Sequence, residues 1–209
     1  MKTLFSVLIV MGLFITVSCN NSSDKTSKET DTSAMMNNAM PKMDMQPDSS
    51  MTMITPTFTS VDAKLSVDIK TIVDHYLHIK NALVNNDGNN AAIGGKEMEE
   101  AISKVDKSLF TADQKKVYDG IADDLKEHAE HIGANEDKIE HQREHFSMMS
   151  EDVYDLVKAF GGGQTLYHDH CPMANDSKGG MWLSEVKEVK NPYFGGKMND
   201  CVKVMEVIK

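Results

Sequence analysis

His168, His170, Cys171 and Met173 place two imidazoles, a thiol and a thioether within six consecutive residues. Such a segment is a set of soft and borderline metal donors. Thiolate and thioether favour Cu(I), and imidazole suits copper or zinc. Pro172 cannot donate a ladder hydrogen bond and restricts the backbone, so a strand should end at Cys171 and leave the sulfur ligands on a turn. Met198 and Cys201 are further soft donors that could complete such a site. A plainer reading competes with it. Cys171 and Cys201 can form a disulfide closing a loop of about 31 residues, worth about 3.7 kcal/mol on a chain-entropy basis. An oxidised pair supplies no thiolate ligands, so the two readings exclude each other and both stay open.

The start of the chain bears on the redox question. Lys2 precedes an apolar run from Leu4 to Val17 that is short for a membrane span and reads as a secretory signal. Ile15-Thr16-Val17-Ser18-Cys19 resembles a bacterial lipobox, with Thr16 where an aliphatic residue is usual. Residues 1–18 are therefore expected to be removed and Cys19 acylated; ordinary signal cleavage is the alternative. Acyl chains bind a membrane at about 0.8 kcal/mol per buried CH₂. This places the protein on the periplasmic side of a bacterial envelope, with the outer membrane as the expected anchor. With Cys19 lipidated, an even pair of cysteines remains in an oxidising compartment.

Residues 19–60 are rich in Ser, Thr, Asn, Asp, Lys and Met and poor in aromatic and branched apolar residues. That composition predicts a disordered tether, with a coil dimension of roughly 35 Å for about 40 residues. Methionine usually fills core gaps, but a tether has none. Met43, Met45, Met51 and Met53 form two Met-x-Met pairs that read as low-affinity Cu(I) collectors, against compositional drift as the alternative.

Residues 61–209 suffice for one domain. Four helical periodicities predict a mainly α fold, an antiparallel four-helix up-down bundle with a small C-terminal β or irregular appendix. The first helix runs from about Val61 to Val84, with Leu65, Ile69, Ile72, Tyr76, Ile79 and Leu83 as its apolar stripe. The second covers about Asn90 to Ser108, with first turns weakened by Gly94 and Gly95. Thr111 and Gln114 form a capping box for the third, whose expected stripe is Val117, Ile121, Leu125, His128 and Ile132. Asn135 is the expected cap of the fourth, which carries Ile139, Phe146, Val153 and Phe160 and ends at Gly161. Short strands are expected at Thr165–His170 and Cys201–Ile208, with Trp182 and Phe194 as anchors of the appendix.

The helical periodicity also sorts the histidines. His78 points away from the first stripe and His75 flanks it. His128 falls at the centre of the third stripe and His131 at its edge. His141 and His145 are one turn apart and can share a ligand. Folding the third and fourth helices about Ala134–Asn135 brings His128, His141 and His145 within a turn of one another, a second candidate metal cluster. No metalloprotease, phosphate-loop or nucleophile-elbow pattern is present, and the reading is non-enzymatic. With 32 acidic and 22 basic residues the net charge is −10, which disfavours nucleic acid and anionic lipid.

Two stretches resemble a known family. One is Ile139-Glu-His-Gln-Arg-Glu-His-Phe146 with Ser150 and Tyr154-Asp-Leu-Val-Lys-Ala-Phe160. The other comprises Cys171-Pro-Met-Ala174, Trp182-Leu-Ser184, Asn191-Pro-Tyr-Phe-Gly195, Met198 and Cys201. Together, across about Val61 to Val207, they resemble the helical domain family of unknown function numbered 3347. That family occurs as secreted or lipid-anchored single domains, and fused to periplasmic adaptors of Cus-type copper and silver efflux systems. The Cys-Pro-Met core is also similar to short heavy-metal-binding modules of such adaptors, although Ala174 stands where those carry histidine and Val202 where a glycine follows cysteine. The resemblance implies metal handling, with Cu(I) as the expected ion, zinc or silver as alternatives, and an efflux adaptor or other envelope protein as partner. The competing expectation is a metal-free interaction module stapled by Cys171–Cys201.

Overall fold

The computed structural model describes residues 51–209. Four long helices dominate them: α1 (Ala63–Val84), α2 (Gly88–Ser103), α3 (Ala112–Ala134) and α4 (Ile139–Phe160). Four strands form one sheet: β1 (Thr52–Ile54), β2 (Leu166–Cys171), β3 (Gly180–Ser184) and β4 (Lys203–Ile208), in the spatial order β1-β4-β2-β3. β1 runs parallel to β4, and β2 runs antiparallel to both β3 and β4. The fold is mainly helical with a small, largely C-terminal sheet.

Each helix packs on the next in sequence, α1 also touches α4, and β3 lies against α4. The expected α1 stripe is the buried one: Leu65, Ile69, Ile72, Tyr76, Ile79 and Leu83 all face the core. Asp62 caps the helix, its carboxylate accepting from the Lys64 and Leu65 amides. The capping box of α3 is present, with Thr111 Oγ1 accepting from the Gln114 amide at 3.3 Å and Gln114 Oε1 from the Thr111 amide at 3.0 Å.

Buried polar groups tie the sheet to the helices. The Leu183 amide donates to Tyr76 Oη at 2.9 Å, and the same hydroxyl bonds Ser150 Oγ at 2.9 Å. Lys80 is buried on α1 and donates to Glu185 Oε2 at 2.6 Å. Burial lowers the Lys80 pKa and the Glu185 carboxylate opposes that fall. Arg143, buried on α4, donates to the Pro192 carbonyl at 2.9 Å and to Asn86 Oδ1 at 2.6 Å. Trp182 is the expected anchor, packed edge-on to Tyr193 at 5.8 Å between ring centroids. Tyr193 is buried in the Pro192–Phe194 turn and donates to the Met181 carbonyl at 2.7 Å; Phe194 is only partly buried.

Several expectations need correction. The folded domain begins before residue 61. β1 joins the sheet, and the Thr57 and Phe58 amides donate to the carbonyls of Lys158 and Ala159 at 2.9 and 2.8 Å. Phe58 packs on Phe160 at 5.1 Å. Met51 and Met53 therefore belong to this ordered edge, not to a tether. Met43, Met45, Cys19 and the signal segment lie outside the described residues. Asn135 ends α3, its side-chain amide donating to the His131 carbonyl at 2.9 Å, while α4 starts without a side-chain cap. The inward face of α3 is Tyr118, Ala122, Leu125, Ala129 and Ile132, leaving Val117 exposed and His128 at the edge.

α2 spans Gly88–Ser103, and its two glycines are packing devices. A Cβ on Gly95 would lie 2.7 Å from the Ala129 carbonyl oxygen and 2.7 Å from the Gly133 nitrogen. Both are backbone atoms of α3, so relief requires moving a helix. Gly95→Ala should therefore destabilise the fold by about 1–3 kcal/mol, outweighing a gain of about 1 kcal/mol in helix propensity. Urea unfolding measures the difference; a more stable variant would show that the α2–α3 spacing yields freely.

Candidate metal centre

The end of α3 and the start of α4 bring four imidazoles together. His128 and His131 sit one turn apart on α3, and His141 and His145 one turn apart on α4. His145 is central. Its Nδ1 lies 3.2 Å from His128 Nδ1, its ring stacks on His131 at 4.1 Å and 6°, and it meets His141 edge-on at 4.6 Å. One donor atom from each of His131, His141 and His145 lies within 4.8 Å of the other two.

Local sequence explains the register. Ala134 ends α3 and Ile139 begins α4, so the fold-back is centred between residues 136 and 137. That sets His128 opposite His145 and His131 beside His141. A turn centred on Ala134–Asn135 sets His128 roughly level with residue 142 and leaves His131 short of His141; helical phase alone puts His131 only at the edge of the third stripe. The missed signal was the Glu136-Asp-Lys138 segment, polar residues that extend the turn.

The electrostatics suit neutral ligands. Burial, and then the neighbouring histidines His131, His141 and His128, push the His145 pKa down to about 4. Burial likewise lowers that of His128. Carboxylates surround the rings: Glu144 Oε2 is 3.2 Å from His141 Nδ1, and Asp152 Oδ2 is 3.8 Å from His128 Nε2. The Asp152 oxygen is buried without a hydrogen-bond partner, and burial raises its carboxyl pKa to about 6. Carboxylates behind imidazoles orient them and raise their basicity toward a metal.

The C-terminal segment is arranged differently from the expectation. Cys171 Sγ lies 3.7 Å from Cys201 Sγ, and neither is in a disulfide. Cys171 is fully buried, while Cys201 is partly exposed and donates to the Met198 carbonyl at 3.3 Å. Partial burial and the Cys171 thiol raise the Cys201 pKa, so a metal there must displace the Cys201 proton. Met173 and Met198 are both exposed, and Met198 has a left-handed backbone at φ 53°.

His168 and His170 do not join the sulfur pair. Neighbouring strand residues point to opposite faces, so His170 leaves Cys171 on the other side of β2. His170 instead approaches Gly179, where a Cβ would sit 3.0 Å from its Nε2. His168 Nδ1 lies 3.3 Å from Glu206 Oε2, an oxygen that also accepts from the Tyr154 hydroxyl. Burial lowers the His168 pKa, opposed by that carboxylate. Among the described residues, no three-donor group of His, Cys, Asp and Glu contains either thiol.

Comparison with known proteins adds one finding. No curated protein and no solved structure matches the chain. Residues 72–165 match a protein family. The matched stretch holds all four clustered histidines and stops before Cys171, so the Cys-Pro-Met and Asn-Pro-Tyr motifs lie beyond it. The family whose model matches residues 72–165 is described as "Protein of unknown function (DUF3347)".

Proposed function

We propose that this protein binds copper or zinc in the bacterial envelope and hands the ion on in copper or heavy-metal homeostasis. The observation that carries the reading is the convergence of His131, His141 and His145 from two helices, with His128 alongside. Imidazole suits copper and zinc. His131 and His141 keep about two fifths of their side-chain surface exposed, at 44% and 36%. A cluster open to solvent favours exchange over permanent structural metal. The paired thiols, with Met198 beside Cys201, are the softer donors for Cu(I) or silver. The Ser18-Cys19 junction supports lipid anchoring on the periplasmic side, at the outer membrane. The partner in the proposal is an efflux adaptor or another envelope protein. The stepwise packing of α1 on α2, α2 on α3 and α3 on α4 supports an antiparallel up-down arrangement.

The 3.7 Å sulfur separation favours a second reading, in which Cys171 and Cys201 staple a metal-free interaction module. Metal and free-thiol analysis of the protein isolated from the envelope separates the two. We expect bound copper or zinc that survives Cys171→Ser and Met173→Leu but not His131→Ala with His145→Ala. A protein isolated without metal, indifferent to added cupric, cuprous and zinc ions and carrying blocked thiols, would leave only the stapled module.

A further inference from the structure

α1 and α2 carry another donor cluster, separate in sequence and in elements from the α3–α4 histidines. His75 and His78 lie one turn apart on α1, and Glu97 reaches them from α2. Glu97 Oε2 is 3.3 Å from His75 Nδ1 and 3.5 Å from His78 Nδ1. One donor atom from each residue lies within 4.8 Å of the other two. Zinc–ligand bonds of about 2.0–2.1 Å at tetrahedral angles separate adjacent ligand atoms by about 3.3 Å. Both nitrogen–oxygen distances are therefore close to the spacing a bound ion would impose, without backbone movement.

The geometry follows from the close approach of α2 to α1. A Cβ on Gly94 would lie 2.8 Å from Ile79 Cγ1 and 3.4 Å from His78 Cγ. Glycine there lets the α2 backbone settle on α1 next to His78, and Glu97, one turn later, projects over both imidazoles. A single ion pair would need one imidazole; here one carboxylate oxygen faces two ring nitrogens. A divalent ion between the three atoms would engage all of them at once. The side chains of His75, His78 and Glu97 are 25%, 38% and 47% exposed, which leaves room for water as a fourth ligand. Two imidazoles and a carboxylate, without sulfur, select a borderline divalent ion rather than Cu(I).

We infer that His75, His78 and Glu97 form a second metal site, for a divalent cation of the zinc type, with water completing the coordination. The inference stands apart from the α3–α4 centre. Its test uses the purified protein carrying Cys171→Ser and Cys201→Ser, which removes the thiol pair as a competitor. Zinc is titrated while the ring-proton resonances of each histidine are followed by NMR. His75 and His78 should shift together and saturate. Glu97→Gln, which keeps the side-chain shape and removes the charge, should weaken that response about tenfold or more, leaving the His131, His141 and His145 resonances to respond as before. His145→Ala should do the converse. The inference is overturned if the His75 and His78 signals stay at their metal-free positions up to millimolar zinc, or if Glu97→Gln leaves their response unchanged. Because each cluster has its own resonances, failure of one is distinguishable from failure of the other.

Discussion

Replacing His145 with alanine should weaken zinc and cupric-ion binding at the α3–α4 cluster by about 100-fold or more, roughly 3 kcal/mol. His145 is the only member that touches the other three rings, at centroid distances of 5.4 Å to His128, 4.1 Å to His131 and 4.6 Å to His141. Removing it leaves His131 and His141 5.9 Å apart between ring centroids, with no imidazole between them. The metal-free fold should change little, because the ring is partly exposed and no core side chain is lost. Metal-dependent stability is the sensitive readout. Zinc at 100 times its dissociation constant should stabilise the native protein by about 2.7 kcal/mol, and the variant should lose nearly all of that increment. His145 is already unprotonated well below neutral pH, since its pKa is held at about 4 by burial and its neighbours. It should therefore contribute no proton release when metal binds at pH 7. A variant that melts with the same zinc-induced increment as the native protein would remove the cluster as the binding site.

Asp169→Asn should stabilise the fold at alkaline pH by about 4 kcal/mol and leave it nearly unchanged near pH 4. Asp169 lies in the middle of β2, 1% exposed, and neither carboxylate oxygen has a hydrogen-bond partner. Burial raises its pKa to about 7; Lys80 and the Trp182 indole oppose the shift without completing a hydrogen bond to it. The folded chain thus holds this proton about three pH units longer than the unfolded chain. Its contribution to stability is fully present below about pH 4 and is lost as pH rises through about 7. Asparagine is neutral throughout and nearly the same shape, so it removes the alkaline penalty. Melting curves at pH 4.5 and pH 8 provide the comparison. An equal shift at both pH values would mean that Lys80 already compensates a charged Asp169 in the folded state.

Much of the helical architecture was legible because its signals are local. The α1 stripe from Leu65 to Leu83 repeats at helical spacing, and the Thr111–Gln114 box spans only four residues. On α3 the expected stripe matches the buried face at Leu125 and Ile132 and falls one residue short of it at Val117, Ile121 and His128. The helix's inward positions include Ala122 and Ala129, small residues that carry little hydrophobic signal but admit close neighbours, whereas Val117 is large and exposed and Ile121 only partly buried. β1 was not legible at all: three residues, Thr-Met-Ile, pair with β4 some 150 positions later in the chain, and nothing in their own neighbourhood announces that partner. β3 was hidden by its flanking glycines, and its Trp182 registers only as an anchor until β2 is placed beside it.

The candidate sites divide in the same way. Sequence alone identified the donor chemistry: imidazoles on the helices, two thiols beyond residue 170, and thioethers beside them. It also placed His141 and His145 on one helix face, because that depends only on a spacing of four. Which donors meet was decided by tertiary structure. The length of the α3–α4 turn matched His128 to His145 and brought in His131. The two-residue period of β2 turned His170 away from Cys171. The packing of Gly94 on Ile79 carried Glu97 to His75 and His78. Residue type and helical phase are properties of a few neighbouring positions, but a metal site requires atoms from different elements within about 4 Å. A one- or two-residue change in a turn moves those atoms by more than that.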